Sequence, residues 1–434
     1  MRAGSATLTA EQPHEHSVAA RAARARDDAR FPGGRPAIFI AHPSDLLTDH
    51  LPNGDGLVAF GFIDRLAARG WRLHVAVREA SLRGPLPPNV TLHRLGDGRG
   101  DGLASRLRYM AAMRRLLRRL RREEPIGLAH QMNPVFAGLS LGLVGCGLPI
   151  VLGTFVARWP AEAPPDGTAA RLRGAAVRTA RWCIALAQQA HASTLLMTTA
   201  AAADRIALPV RSRRKMRTVR HGIDTGLFRP DADWAERLRR MPPSILFYSQ
   251  VDRRKGVLVL VEAFRRVVRA VPECRLTIVG RGDHVAEVER AVAEAGLGGR
   301  VTLAGRVERD RAPELFGRHA VYCLPSFGEP YATTLLEAMA CARPVVVTDA
   351  GGLPHMVPED GGARVPVDDP EALAAVLVEL LGAPERRVAM GAANLGFIHE
   401  NFAWDTVMDD LEAAYATVLR DRSGSATDDR RVGD

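Results

Sequence analysis

The sequence predicts an α/β protein built from two successive, doubly wound parallel sheets. Short, wholly apolar runs alternate with segments of helical periodicity, which is the pattern of strands buried between two layers of helices. The alternation begins at Pro36, and it restarts after residue 240 beyond a loop-like segment at 219–230. Ligands of such sheets bind beyond the carboxyl ends of the strands, so two facing sheets predict a cleft lined by those loops.

The first half of the chain opens with the apolar run 36–42, which predicts a buried strand. A polar loop and a helix at 57–70 follow, and the helix ends at Gly70 because glycine adopts helix-ending conformations easily. A second, strongly basic helix is predicted at 104–122. Further apolar runs predict the strands 71–77, 126–132, 148–156 and 191–199.

The second half repeats this alternation with clearer boundaries. Asp369 is a predicted N-cap and Pro370 the first helical residue of the segment that ends at Gly382. The predicted strands of this half are 244–250, 274–280, 301–305, 320–326 and 344–350. The other predicted helices are 257–271, 284–296, 311–318, 330–341 and a final helix beginning at 403.

These elements predict two domains and a hinge near 225–242. The polar, low-complexity character of the two chain ends predicts disorder there. The predicted segments are a tail at 1–35, an N-terminal domain at 36–230, a C-terminal domain at 243–404, a helix at 405–421 and a tail at 422–434.

Composition narrows the possible partners and the compartment. The 434 residues are 47% hydrophobic and 25% charged, and no run of about 20 apolar residues predicts a membrane span. The N-terminus lacks the apolar segment of a secretory signal, and the five cysteines form no CxxC pair, so we expect a cytoplasmic protein without a zinc site. The net charge of +10 comes from local arginine runs without an aromatic-studded basic strand, which disfavours nucleic acid as a partner.

The basic helix at 104–122 permits two interpretations. Its apolar residues near one face pack on the core in one of them, and its arginines are simply solvated. In the other, the helix docks on an anionic membrane, which implies a lipid acceptor and a peripheral location at the inner membrane face. The apolar residues concerned are Leu103, Leu107, Met110, Leu117 and Leu120.

The segment 325–352 contains two glutamates eight positions apart, Glu329 in a Gly/Pro loop and Glu337 about two turns later. Its strand–loop–helix order places unpaired backbone N–H groups at the start of a helix, where they suit a phosphate group. The two carboxylates would bracket such a phosphate rather than share a proton, which disfavours an acid/base pair. On spacing alone, Glu337 as a surface charge of the helix remains an alternative.

Four segments together resemble the retaining family 4 glycosyltransferases, which have the GT-B fold. The match runs over roughly 219–420 and is weak in the first half of the chain. Glu329 and Glu337 fall on the E-x7-E signature of this family. The segments are 219–230, 247–264, 301–326 and 327–357.

The resemblance implies a role for each matching residue. Glu329 would contact hydroxyls of a donor sugar, Glu337 would bind the nucleotide ribose, and Lys255 would neutralise the leaving diphosphate. His130 would lie beside the donor sugar. The implied catalytic residues are His130, Lys255 and Glu329. The implied donor-binding residues are Gln250, Arg254, Lys255, Glu329, Pro330, Tyr331, Ala332, Thr333 and Glu337.

Three of these assignments have alternatives. Gln250 occupies a position where the family usually has arginine, which puts half of the diphosphate clamp in doubt. Arg253 and Arg254 could substitute for that arginine, or they could be solvated loop residues. His130 follows an apolar run, so a buried histidine with satisfied ring nitrogens is its alternative role.

The loop between the first strand and the first helix is the predicted acceptor side. Its glycines allow a ligand to approach the backbone closely, or they serve only a turn. Its acids would suit a cationic acceptor such as an aminocyclitol of antibiotic biosynthesis, or they simply make the loop hydrophilic. The residues are Asp45, Asp49, Gly54, Asp55 and Gly56.

The resulting prediction is a retaining hexosyltransferase that moves a sugar from a nucleoside diphosphate sugar, first of all UDP-glucose or UDP-GlcNAc, to a hydroxyl of a small molecule. Neither a metal nor a cofactor is expected, because Lys255 and the helix start carry the positive charge. Alternatives are a cell-envelope glycosyltransferase at the membrane, a phosphorylase or epimerase, and a non-catalytic sugar-nucleotide-binding protein. The oligomeric state stays open.

Overall fold

The computed structural model describes residues 30–31, 34–42, 46–51, 54–96, 102–133, 138–158 and 168–428. Most of the two predicted tails lies outside these ranges. The described residues near each end differ from the prediction. Phe31 is buried and packs edge-to-face on Trp71, and the last helix continues to Asp428. The N-terminal domain therefore begins before Pro36, and the C-terminal helix extends beyond residue 421.

The N-terminal sheet has seven parallel strands in the order β5-β3-β1-β6-β7-β8-β9. The strands β1, β3, β6, β7 and β8 are buried along their whole length, which explains why they were visible as apolar runs. The short strands β2 and β4 form a separate pair. The bounds are β1 Ala37–His42, β2 Leu47–Thr48, β3 Leu73–Val77, β4 Ala80–Ser81, β5 Val90–Arg94, β6 Ile126–Gln131, β7 Ile150–Phe155, β8 Thr194–Met197 and β9 Met216–Thr218.

The C-terminal sheet has six parallel strands in the order β12-β11-β10-β13-β14-β15. Both sheets place their first strand in the interior, so the strand order reverses beside it. Loops that leave neighbouring strands at that point diverge and open a crevice. The bounds are β10 Ser244–Tyr248, β11 Arg275–Val279, β12 Val301–Gly305, β13 Val321–Leu324, β14 Val345–Thr348 and β15 Gly362–Val365.

Twelve helices of the described chain surround the two sheets. Five of them belong to the N-terminal sheet or return to it, namely α1 Gly54–Ala68, α2 Leu103–Glu123, α3 Thr168–Ala190, α4 Pro209–Ser212 and α12 Trp404–Asp428. The others are α5 Trp234–Arg240, α6 Val257–Ala270, α7 Val285–Glu294, α8 Ala312–Gly317, α9 Thr333–Ala340, α10 Pro370–Gly382 and α11 Pro384–Asn401. Short 3-10 turns occur at Leu139–Leu143, Ala200–Arg205, Arg213–Lys215, Arg253–Lys255, Arg309–Arg311 and Leu353–His355.

The two doubly wound sheets confirm the predicted fold class. Asp369 caps α10 as predicted, accepting the backbone N–H groups of Glu371 and Ala372. The domain boundary differs from the prediction. Ile223 and Phe228 belong to the hydrophobic core of the C-terminal domain, so that domain begins about twenty residues before residue 243.

The last helix returns to the N-terminal domain, as the resemblance implied. Val407, Met408 and Leu411 are buried in the same hydrophobic cluster as residues of β1 and α1. A buried carboxylate fixes the helix more specifically, because Glu412 accepts a 2.7 Å hydrogen bond from the Trp71 indole and lies 2.9 Å from the Arg69 guanidinium.

The chain crosses between the domains at two places that lie side by side. The Ile223 N–H donates to the Phe402 carbonyl at 2.7 Å, and Ile223 forms a parallel bridge with Ala403. The Trp404 ring packs so closely here that a Cβ atom at Gly222 would lie 2.3 Å from it. Both crossings therefore form one narrow joint between the domains.

Candidate functional site

The loops that follow β10 and β13 are bonded to each other at the carboxyl edge of the C-terminal sheet. The Arg254 carbonyl accepts the Phe327 N–H at 2.8 Å and the Ser326 hydroxyl at 2.9 Å. Gly256 has a φ of 72°, and a Cβ atom there would lie 1.8 Å from the Pro325 carbonyl oxygen. The contact requires glycine, and it fixes the position of the neighbouring Lys255.

Lys255 and Glu329 form a buried ion pair between these two loops. The Lys255 ammonium donates to Oε2 of Glu329, and the two residues are only 8% and 5% exposed. Burial raises the pKa of the Glu329 carboxyl, although the Lys255 charge partly offsets this effect. The structure thus brings together two of the three residues predicted to be catalytic.

Glu337 lies in the second turn of α9 and is 3% exposed. Its Oε1 atom accepts hydrogen bonds from Nε and Nη2 of Arg309, at 3.2 and 3.0 Å. Burial raises the pKa of Glu337 to about 7, against the opposing influence of Arg309. The alternative of a surface charge is therefore wrong, since a solvated glutamate would be neither buried nor paired in this way.

Arg309 is the main site residue that the sequence did not reveal. It is half-exposed, and its guanidinium lies 4.9 Å from the centre of the Phe228 ring. It precedes Glu337 by 28 positions and belongs to another element, so no local spacing connects the two residues. The only available signal was its place in a polar loop after β12, at the carboxyl edge where sites form.

The start of α9 lies between the two glutamates and has no side-chain cap. The first backbone N–H groups of an uncapped helix have no partner within the helix, so they can bind an anion. Pro330 and Ala332 are buried there, and Thr333 is exposed. The segment 330–333 thus lies beside both carboxylates, and its role in donor binding stays a prediction.

Two adjacent glycines after β14 contact the backbone of the Glu329 loop. The Gly352 N–H donates to the Glu329 carbonyl at 2.8 Å. A Cβ atom at Gly351, whose φ is 64°, would lie 2.7 Å from the same oxygen. Sequence reasoning missed this support, although a Gly-Gly pair directly after a strand is a typical signal of close backbone approach.

Gln250 and Arg254, the two candidates for the missing half of the clamp, are exposed at the rim. The Arg254 guanidinium lies 3.5 Å from the Asp252 carboxylate. Asp252 in turn accepts the Lys255 N–H at 3.1 Å and so caps the short turn Arg253–Lys255. Both candidate side chains border the site, and their role in diphosphate binding stays a prediction.

Tyr331 links the C-terminal domain to the joint between the domains. Its hydroxyl donates to the His221 carbonyl and accepts the His221 N–H, both at 3.1 Å. The His221 ring reaches Thr154 at the end of β7, with 2.5 Å between Nε2 and Oγ1, and burial lowers the pKa of His221 to about 3. A neutral histidine therefore contacts both domains at the base of the cleft.

His130 does not lie at the cleft surface, which corrects its predicted role beside the donor sugar. It is 2% exposed, its Nδ1 is 2.6 Å from the Tyr415 hydroxyl, and its Nε2 is 3.0 Å from the Gly153 carbonyl. Burial lowers the pKa of its imidazole to about 4. Both ring nitrogens are satisfied, so His130 is a neutral core histidine that fixes α12 to β6.

The predicted acceptor loop is only partly described. Asp45 lies outside the described residues. Asp49 binds the His50 ring at 2.7 Å and accepts the Arg83 N–H at 3.1 Å, so its carboxylate stabilises the loop. Gly54, Asp55 and Gly56 form the first turn of α1 rather than a loop, which corrects that interpretation. Asp55 is exposed, and its role toward an acceptor stays a prediction.

Metal binding receives no support from the side-chain geometry. Among the described residues, no three His, Cys, Asp or Glu side chains are grouped so that they could hold an ion. The same part of the chain contains no helix with the length and apolar character of a membrane span. The expected independence of metals and cofactors stays a prediction.

Comparison with known proteins agrees with the site. Residues 228–395 match the family model described as Glycosyl transferases group 1. The D-inositol 3-phosphate glycosyltransferase of Segniliparus rotundus is 33% identical over 217 residues, which are 48% of each chain. The phosphatidyl-myo-inositol mannosyltransferase of Mycolicibacterium smegmatis is 30% identical over 222 residues, 49% of this chain and 56% of that protein. The chain thus spans about half the length of the curated relatives that it matches.

Solved structures extend the likeness to both domains. The sucrose-phosphate synthase of Thermosynechococcus elongatus superimposes with a TM-score of 0.65 at 23% identity, over 88% of this chain and 99% of that one. Anabaena Alr3699/HepE, solved in complex with UDP, gives 0.67 at 15% identity, over 88% and 100%. At these identities the likeness establishes the fold alone. Residues 228–395 therefore match the group 1 glycosyl transferase family, and the chain as a whole has the GT-B fold.

Proposed function

We propose that this protein is a retaining hexosyltransferase whose donor is a nucleoside diphosphate sugar. One observation carries the proposal: two buried carboxylates, Glu329 and Glu337, lie on either side of an uncapped helix start, and the Lys255 ammonium lies next to the first of them. A diphosphate at the helix start would have the ribose diol on the Glu337 side and the sugar hydroxyls on the Glu329 side.

The same geometry supports a mechanism without a protein nucleophile. Negative charge grows on the diphosphate as the glycosidic bond breaks, and the Lys255 ammonium and the α9 amides are already oriented toward that position. The acceptor hydroxyl attacks from the face that the diphosphate leaves and passes its proton to a diphosphate oxygen. The anomeric configuration is then retained.

The base of the donor has two candidates. UDP-glucose and UDP-GlcNAc come first, supported by the structural neighbour solved with UDP. GDP-mannose is the competitor, because a sequence relative is named as a GDP-mannose-dependent phosphatidylinositol monomannoside mannosyltransferase.

The acceptor has two candidates as well. The proposal of a cationic aminocyclitol rested on three loop acids. Asp45 lies outside the described residues, and Asp49 is engaged by His50 and Arg83. A lipid-linked or other cell-envelope acceptor is supported by the basic, partly apolar surface of α2 and by relatives named for inositol-lipid substrates. We therefore propose the membrane-linked acceptor, with the protein at the inner membrane face.

A donor-hydrolysis assay tests the enzyme proposal. UDP-glucose, UDP-GlcNAc and GDP-mannose are each incubated with the protein, and one of them should release nucleoside diphosphate slowly without an acceptor. Inorganic phosphate should not accelerate cleavage, as it would for a phosphorylase. If no donor is cleaved even with acceptor extracts, the protein is a non-catalytic sugar-nucleotide-binding protein and the proposal is wrong.

Calorimetry with the matching nucleoside diphosphate tests the assignment of the site. Glu337→Ala should abolish measurable binding, because the ribose diol loses its acceptor. Glu289, which is exposed on α7, provides the control Glu289→Ala, and that variant should bind like the wild type. Equal affinities of the two variants would show that Glu337 has no role in the ribose site.

A further inference from the structure

The N-terminal domain exposes an unusual concentration of apolar side chains on one face. Seven large apolar side chains are exposed in the described part of the chain, and two of these, Val210 and Val367, lie elsewhere. The other five belong to α2 and α3, namely Leu103, Leu107, Val177, Trp182 and Ile184. We call the surface formed by these two helices the α2/α3 face.

A groove runs along this face and has a volume of about 930 Å³. Leu103 and Leu107 line it from α2, and Trp182 and Ile184 line it from α3. Leu103 is 75% exposed and Leu107 is 55% exposed, whereas Leu117 and Leu120 are buried. One of the two interpretations of this helix placed all four on the core, and it holds only for the latter two. Both exposed leucines lie in the first two turns of α2, where Ser105 and Tyr109 are buried.

The charge of the same face has a single sign. The α2 helix carries eight arginines and α3 carries four, and the one acidic residue of either helix is Glu123 at the end of α2. Among the residues that the structure describes, no acidic side chain lines the groove. The Asp204 carboxylate accepts the N–H of Arg158, which is one of the lining residues. The arginines that line the groove are Arg106, Arg158, Arg178, Arg181 and Arg205.

We propose that the α2/α3 face docks on an anionic lipid bilayer. The leucines and the Trp182 indole enter the boundary between headgroups and acyl chains, and the arginines bind lipid phosphates beside them. A second copy of the chain is excluded as the occupant by charge, since it would bring the same arginines together. Nucleic acid would match the arginines but offers no apolar partner to Leu103 and Leu107.

The position of the groove connects docking to the proposed function. Phe155, the last residue of β7, and Arg158 line it, so it opens at the carboxyl edge of the N-terminal sheet. That edge faces the cleft. A bilayer at the α2/α3 face would therefore present a lipid-linked acceptor beside the donor site. This consequence rests on the proposed function, whereas docking itself does not.

Sedimentation of the full-length protein with vesicles tests docking. Binding is expected to vesicles of phosphatidylcholine with phosphatidylglycerol and to be much weaker with phosphatidylcholine alone. The double variant Leu103→Ser/Leu107→Ser and the double variant Arg178→Gln/Arg181→Gln should each lower the partition coefficient by about tenfold. The matched controls exchange exposed residues of the same types elsewhere, namely Val210→Ser/Val367→Ser and Arg269→Gln/Arg290→Gln, and should stay within about twofold of the wild type.

Tryptophan fluorescence gives a second readout at the face itself. Anionic vesicles should shift the emission to the blue in the wild type, and Trp182→Phe should remove the shift. If the control variants lose vesicle binding as much as the face variants do, nonspecific charge attracts the protein and the proposal is wrong. A dimer in light scattering that Leu103→Ser/Leu107→Ser dissociates would make the face a protein interface instead.

Donor hydrolysis without vesicles separates this proposal from the function. The face variants should release nucleoside diphosphate at the wild-type rate, because none of the exchanged residues lies in the donor site. If the wild type and the controls bind anionic vesicles and the face variants do not, but no protein cleaves a donor, docking stands and the proposed function fails. If donors are cleaved but anionic vesicles leave all proteins in solution, docking fails alone.

Discussion

Protonation of Glu337 should control nucleotide binding between about pH 6 and 8. The carboxylate is 3% exposed, and Arg309 donates two hydrogen bonds to one of its two oxygens. Burial raises the pKa of Glu337 from 4.5 to about 7. That difference corresponds to about 3 kcal/mol between the charged and neutral forms. A ribose diol that donates two hydrogen bonds requires the charged form.

The sign of the stability effect follows from the same difference. Because the folded pKa lies above the unfolded value of 4.5, the folded protein holds the proton more tightly. The resulting stabilisation is fully present below about pH 4.5, and it is lost as the pH rises through about 7. At pH 8 the buried Glu337 carboxylate is charged at a cost in free energy, and a ligand that donates hydrogen bonds to it reduces this cost.

Calorimetric titration with the cognate nucleoside diphosphate measures the functional effect. The charged fraction of Glu337 rises from about one tenth at pH 6 to about nine tenths at pH 8, so the affinity should rise by about tenfold. The diphosphate also titrates in this range. Glu337→Gln keeps the size of the side chain without its charge, and its residual pH dependence measures the contribution of the ligand alone.

Arg309 supplies the test that could refute this reasoning. Its positive charge opposes the effect of burial, so Arg309→Ala should move the pH midpoint of binding upward, and Arg309→Lys should move it less. A pH profile that is the same in the wild type and in Glu337→Gln would show that the carboxylate is charged throughout. An unchanged midpoint in Arg309→Ala would show that the two side chains do not interact in solution.

Two further predictions concern buried partners. Lys255→Ala should lower the rate of donor hydrolysis and destabilise the protein by about 3–5 kcal/mol, because Glu329 keeps a buried charge without its partner. In urea unfolding, the double variant Lys255→Ala/Glu329→Gln should recover this stability, but its rate of donor hydrolysis should stay low. His130→Ala should destabilise the protein by about 1–3 kcal/mol, because the Tyr415 hydroxyl loses a buried partner. Its rate of donor hydrolysis per folded molecule should match the wild type. A loss of this rate without a loss of stability would show that His130 acts in the site.

The strands were predictable because burial on both faces leaves a continuous apolar run. The predicted strand 301–305 has the bounds of β12, and the other predicted strands are shorter than their runs by one to three residues at an end. The strands β2, β4, β5, β9 and β15 were not predicted, and neither were the helices α3, α4, α5 and α11. Arginines and alanines around all sides of α3 leave no apolar stripe, and α11 has glycines and asparagines within it. Tertiary packing outweighs local propensity in such segments.

The site was predictable as far as one local segment defines it. Glu329, Glu337 and the uncapped helix start belong to a single strand–loop–helix unit, so their spacing determines their geometry. The pairing of Glu337 with Arg309 and of His130 with Tyr415 joins residues that are 28 and 285 positions apart. Nothing in a single sequence specifies which distant side chain satisfies a buried polar group.

The joint between the domains explains how such a site could limit the hydrolysis of its donor by water. Lys255, Glu329 and Glu337 all belong to the C-terminal domain, so the donor site is complete within one rigid body. The chain crossings at Ile223 and Ala403 are bonded side by side and act as one narrow axis. Tyr331 and His221 lie next to this axis, so a rotation about it would move these two residues little and the rim most. Under the proposed function, such a closure would bring the carboxyl edge of the N-terminal sheet onto the donor site and exclude water in the same motion.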